Sequence, residues 1–131
     1  MKTYLSVFLS LLALQACFAQ NTEGGIRFFE GSLEEALQQA QKEHKLIFID
    51  AYAVWCGPCK VMARDVFTQK EVGEFYNKNF INLKIDMEKG NGPQLAQKYQ
   101  VTAYPTFLFV NEKGELVHVG RGSQPADQFV Q

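Results

Sequence analysis

The sequence is short of metal ligands, of charge imbalance and of long apolar runs. It holds only three cysteines and two histidines in 131 residues. A structural zinc site takes four closely spaced ligands. Beyond Cys56 and Cys59 the chain offers only Cys17, His44 and His118, none at ligand spacing to that pair, so no metal is expected. Charge is nearly balanced, with 13 Lys and Arg against 14 Asp and Glu. Without a basic stripe or a long like-charge run, neither nucleic acid nor an acidic polymer is expected as partner. No stretch reaches the roughly 20 apolar residues that a membrane-spanning helix needs. There is no internal repeat and no low-complexity segment.

What is present suits one globular domain: 47% of the residues are hydrophobic, enough for a single core. The N-terminus stands apart from that core. Lys2, the apolar stretch Leu5 to Leu14 and the small-residue tail Gln15 to Ala19 together read as an export signal over residues 1–19; a buried N-terminal helix is the structural alternative. Cys17 then has two fates. With Cys17 and Ala19 at the −3 and −1 positions of an ordinary cleavage site, the mature chain begins at Gln20, which is the expected outcome. Leu14-Gln15-Ala16-Cys17 also resembles a bacterial lipoprotein box, and lipidation at Cys17 would bring the protein to a membrane. Either way the exported protein keeps two thiols, in a compartment where disulfides persist. Residues 20–25 are read as a linker and 26–131 as the domain.

The most informative stretch is Trp55-Cys56-Gly57-Pro58-Cys59-Lys60. Upstream, Leu46-Ile47-Phe48-Ile49 is a continuous apolar run of the kind a strand buried on both faces carries. Downstream, Cys59 to Phe67 reads as a helix. Two cysteines across a turn that opens a helix can close a small disulfide ring. The unpaired N–H groups and partial positive charge of a helix start favour a thiolate, and a Cys so placed has its pKa drawn from about 8.5 towards 7 or lower. Cys56, expected at the exposed lip, is the attacking thiol, and Cys59, one turn in, resolves. Half of a zinc site and a pair of inert buried cysteines are the competing readings. The missing ligands speak against the first, and Gly57-Pro58, a turn that exposes the leading sulfur, against the second.

Taken in order, Ile26 to Phe29 is a short strand candidate. Ser32-Leu33-Glu34-Glu35 has the form of a capping box opening a helix to about Glu43. Lys45 to Tyr52 is the buried strand. A helical face continues through Val72, Phe75 and Tyr76 after a break at Thr68 to Lys70, and Phe80 to Asp86 is a strand. Pro93 starts a helix running to Tyr99. Thr106 to Val110 and Glu115 to Val119 form a hairpin around Asn111-Glu112-Lys113-Gly114, and Ser123 opens a last helix. His44 falls in a polar turn and His118 in a strand, both without a chemical role. The order βαβαβαββα predicts an α/β fold with a mixed central sheet flanked by helices.

Trp-Cys-Gly-Pro-Cys-Lys resembles the active-site hexapeptide of the thioredoxins. Asp50, six residues before Cys56, matches their buried acid; Tyr104-Pro105-Thr106 resembles their cis-proline loop; Gly120 follows the last strand where they carry a glycine. The resemblance spans Ile26 to the C-terminus and implies the thioredoxin fold and thiol–disulfide exchange with protein substrates, without organic cofactor, by a monomer. It implies Cys56, Cys59 and Asp50 as catalytic residues, and Trp55, Gly57, Pro58, Tyr104, Pro105 and Gly120 as a substrate-binding rim. A role as reductant in the cell envelope, fed by an electron donor or acceptor there, is expected. A dedicated reductant of apocytochrome cysteines and a non-catalytic binding module or chaperone are the other classes. Thioredoxins end in a longer helix, so the sequence is expected to stop short within it. They also carry a lysine near the buried acid, and the matching position here is Asn82. Asp50 is therefore expected to be buried without a cation, its pKa raised by desolvation.

Overall fold

A computed structural model describes residues 24–131. The export-signal reading, the fate of Cys17 and linker residues 20–23 lie outside the described residues. Helix α1 (Leu33–Glu43) begins as its capping box demands. The Ser32 hydroxyl accepts the Glu35 N–H at 3.1 Å, and the Glu35 carboxylate accepts the Ser32 N–H at 2.7 Å, so two otherwise orphaned donors are satisfied reciprocally. The helix stops at His44, whose left-handed backbone (φ 54°) turns the chain into the sheet.

The sheet has four strands in the order β2-β1-β3-β4. Strand β1 (Leu46–Tyr52) lies parallel to β2 (Phe80–Asp86) and antiparallel to β3 (Thr106–Val110), which pairs in hairpin fashion with β4 (Leu116–Arg121). Flanked on both edges and covered on both faces, β1 is buried from Ile47 to Ala51, which is why its sequence is apolar without alternation. Alternate side chains still serve opposite layers. Ile47, Ile49 and Ala51 pack with Leu83, Leu108 and Val110 beneath α1 and α4 (Gly92–Lys98). Phe48 enters a second, aromatic layer with Phe67, Tyr76, Phe107 and Phe129, supplied by the active-site helix, α3 (Lys70–Asn79), β3 and α5 (Ala126–Phe129). Tyr76 and Phe129 meet Phe48 edge-on at 4.7 and 5.8 Å between centroids, the geometry that aromatic quadrupoles favour.

Four sequence expectations change. Residues 26–29 form no strand, because their donors go to different partners: Ile26 N–H to the Phe67 carbonyl, Arg27 N–H to Asn77 Oδ1, Phe29 N–H to the Asn82 carbonyl. A ladder needs one partner strand throughout; this segment is a strap over the edge of β2. The last helix begins at Ala126 rather than Ser123, since the residue before a proline is pushed out of the helical region and Pro125 itself is extended at ψ 158°. The helix expected over Cys59 to Phe67 starts earlier, as α2 (Gly57–Val61), and widens into a π turn over Met62–Val66. There Phe67 N–H reaches back five residues to the Met62 carbonyl at 2.9 Å, the wider turn often found beside functional sites. The expected break then follows, with α3 starting at Lys70. Strand β4 runs two residues further than expected, to Arg121, and carries a bulge: Phe109 faces His118 and Val110 faces Leu116, leaving Val117 extra.

Phe48 is 0% exposed and Leu116 is 45% exposed, which separates two truncations. Phe48→Ala should cost about 3–5 kcal/mol through lost transfer energy and a cavity, whereas Leu116→Ala should stay within about 0.5 kcal/mol. Urea unfolding midpoints measure both.

Candidate active site

The end of β1 delivers the chain directly into the Cys-X-X-Cys turn. Ala53 is buried, Val54 and Trp55 are 51% and 65% exposed, and Cys56 then forms the N-cap of α2. Pro58 at the start of the helix needs no N–H partner there. Cys56 and Cys59 are joined in a disulfide with their α-carbons 5.3 Å apart. Cys56 Sγ also accepts the Cys59 N–H at 3.1 Å. This sulfur alone of the pair stands where a helix-start amide points at it, so a negative charge formed here is stabilised. That asymmetry distinguishes the two sulfurs. The expected exposure of Cys56 is not what the structure has: Cys56 is 2% exposed and Cys59 6%. The N-cap conformation turns the Cys56 sulfur back over the first turn, where Ala53 and Tyr104 pack on the pair; the exposed lip is Val54-Trp55 and Gly57-Pro58.

Behind the disulfide lies Asp50, 1% exposed, with Oδ1 lacking any hydrogen-bond partner among the described residues. A cleft of about 220 Å³ is lined by Asp50 and Cys59 together with Tyr52, Ala63, Lys60 and Lys84. At about 30 Å³ per water molecule it has room for several. Burial raises the Asp50 carboxyl and the Lys84 cation offsets part of the rise, leaving it at about 7. The expected cation-free surrounding is thus corrected. Asn82 lies opposite Phe48, buried and bonded to the Arg27 carbonyl and Asn77, while Lys84 is the residue opposite Asp50. The parallel register puts it there. Its ammonium stands 5.0 Å from the Tyr52 ring centroid and 5.8 Å from that of Phe28, held by the ring faces beside the acid.

On the other side of the disulfide stand Trp55, Tyr104 and Pro105. Tyr104 meets the indole edge-on at 5.8 Å, and the Tyr104–Pro105 peptide is cis. Pro105 is fully buried, and its carbonyl accepts the Gly122 N–H at 2.9 Å. Gly57 and Pro58 lie on the same exposed lip. Gly120 sits further along the sheet, paired with Phe107; Gly122, with φ +78°, is the glycine that touches the loop. Sequence reading missed Lys84, Gly122 and Glu88, whose carboxylate accepts the Trp55 indole N–H. Counting the register of β1 against β2 would have found the first; no local signal marks the others.

A family model described as Thioredoxin-like matches residues 29–112. The chain belongs to the thioredoxin-like family. Its paired cysteines make this an oxidoreductase domain of the disulfide type. It is 39% identical over 100 residues to thioredoxin Y2, chloroplastic, of Arabidopsis thaliana, covering 76% of this chain and 54% of that protein, so it spans about half the length of that relative. Among solved structures it resembles a candidate disulphide-isomerase from Bacteroides thetaiotaomicron, at 47% identity and TM-score 0.74 over 82% of this chain and 88% of the other. It also resembles the oxidised C-terminal domain of Neisseria meningitidis DsbD, at 27% identity and TM-score 0.63 over 81% of this chain and 94% of that one.

The raised Asp50 carboxyl carries a stability signature. Between the unfolded value near 3.8 and the folded value of about 7, the folded protein holds a proton that the unfolded chain has released, so stability falls as pH rises through that window. Asp50→Asn removes the penalty. It should match the parent near pH 4 and exceed it by on the order of 4 kcal/mol at pH 8, read from urea unfolding at both pH values.

Proposed function

We propose that the protein exchanges disulfides with protein clients through Cys56 and Cys59, as a reductant in the cell envelope. The observation that carries this is the division of the pair: Cys56 Sγ accepts a helix-start N–H, while Cys59 shares a cleft with a buried carboxyl whose pKa lies near neutrality. In the reduced protein the Cys56 thiolate attacks one sulfur of a client disulfide. The client S–S bond breaks, a Cys56–client disulfide forms, and the departing client thiolate takes up a proton. Ionised Asp50 then accepts the Cys59 proton, directly or through water in the cleft. The Cys59 thiolate attacks Cys56 Sγ, the second client thiolate leaves and is protonated, and the Cys56–Cys59 disulfide remains. Two electrons pass to the client, and a dithiol donor returns them by the reverse sequence.

Trp55, Gly57, Pro58, Tyr104 and Pro105 form the rim against which an extended client segment lies, with Gly120 further along the sheet. Location in the envelope draws support from the export-signal pattern of residues 1–19. Intact mass of protein recovered from the producing cell tests the location. A chain beginning at Gln20, or an acylated one beginning at Cys17, is expected, and an unprocessed chain retaining Met1 refutes it.

The cysteine roles are tested by substitution. Cys56→Ser should abolish reduction of a protein disulfide. Cys59→Ser should still attack and accumulate mixed disulfides visible on non-reducing gels, and adducts formed by the first variant alone would reverse the assignment. In stopped-flow exchange between pH 5 and 9, Asp50→Asn should slow the second step and remove its rise near pH 7, leaving the first attack unaltered.

A further inference from the structure

The acidic residue nearest the rim takes no part in the exchange steps, yet it is firmly placed. Strand β2 ends at Asp86, and the next residue, Met87, is 2% exposed and gives its N–H to the Tyr52 carbonyl at 2.9 Å. This ties the end of β2 to the end of β1. The Asp86 carboxylate then accepts the Glu88 N–H at 3.0 Å, turning the chain so that the Glu88 side chain points across the site. There both carboxylate oxygens receive the Trp55 indole N–H, at 2.9 and 2.7 Å. A charged acceptor makes this bond shorter and stronger than a neutral one. The indole is 65% exposed, and its other contact of note is the edge of Tyr104. Released from Glu88, it would have little to hold it against rotation into solvent.

We infer that Glu88 is a positioning residue for client recognition: by holding the Trp55 indole against Tyr104 it keeps one wall of the client groove in place before a client arrives. A wall that is already ordered costs a client less entropy to use. The effect belongs to binding and not to the sulfurs, since Glu88 meets the indole and neither cysteine. The inference rests on the reading of Trp55 and Tyr104 as part of a client rim.

Trp55 is the single tryptophan of the chain, so its fluorescence anisotropy reports this side chain alone. Glu88→Ala should lower that anisotropy and raise KM for a protein disulfide about fivefold while kcat stays within about twofold, the pattern of lost uniform binding. The rate with 5,5′-dithiobis(2-nitrobenzoic acid), too small to span the groove, should be much less affected. Glu88→Gln keeps an oxygen acceptor within reach of the indole and should restore most of both readouts. Unaltered anisotropy and KM in Glu88→Ala, or a Glu88→Gln variant as impaired as Glu88→Ala, would overturn the inference. Trp55→Ala separates it from the reading beneath: a normal KM there overturns the client rim itself, whereas a raised KM beside an unaltered Glu88→Ala overturns only the part given to Glu88.

Discussion

Everything in this molecule hangs on the burial of one strand. β1 is the inner strand on which β2 and β3 both pair, its residues Ile47 to Ala51 are sealed from solvent, and its two side-chain faces seed the two hydrophobic layers. The strand also carries a buried carboxyl, Asp50, and leads within a few residues to Cys56. Burying a carboxyl costs free energy unless it is neutral or paired. Here, among the described residues, it lacks a hydrogen-bond partner at Oδ1, and it faces a cation across the register. The burial raises its pKa and costs stability once the carboxyl ionises.

The two sides of the disulfide are built by different means. Behind it, the order of β2 beside β1 brings Lys84 opposite Asp50, and the ring faces of Tyr52 and Phe28 steady the ammonium. Phe28 arrives on a strap that is not part of the sheet, fastened by single hydrogen bonds to the turn after the π segment and to β2. Close packing also fastens it: a methyl group on Gly73 would collide with the Gly25 backbone. In front of the disulfide, loops meet. Trp55 leaves β1, Glu88 leaves β2, Tyr104 and Pro105 precede β3, and Gly122 closes from the end of β4. Four strand ends converge on a pair of sulfurs, so rigid elements hold a surface made of loops.

The oxidised pair is also more enclosed than its position at a helix start suggests. A capping conformation and a buried sulfur are compatible because the N-cap side chain folds back over the first turn to reach the N–H groups there. Cys56 does so, and what remains exposed is the flanking Trp55 and the Gly57-Pro58 turn.

Much of this was legible in the residues themselves, wherever the cause is local. The capping box at Ser32, the unbroken apolar run of β1, the helix started by Pro93 and the cysteine spacing act within a few residues of chain, and each appears as read. The expected mixed sheet follows from the order of those elements. What tertiary structure decided is what depends on partners distant in sequence. Whether Ile26 to Phe29 makes a strand turned on where each amide found an acceptor. Whether Asp50 meets a cation turned on a parallel register that selects Lys84 over Asn82, two residues apart on the same face. The grip of Glu88 on Trp55 joins residues 33 apart in sequence, and nothing beside Glu88 marks it as the partner. Backbone propensity and side-chain periodicity belong to the chain; register, electrostatic pairing and the closing of loops over a site belong only to the packed molecule.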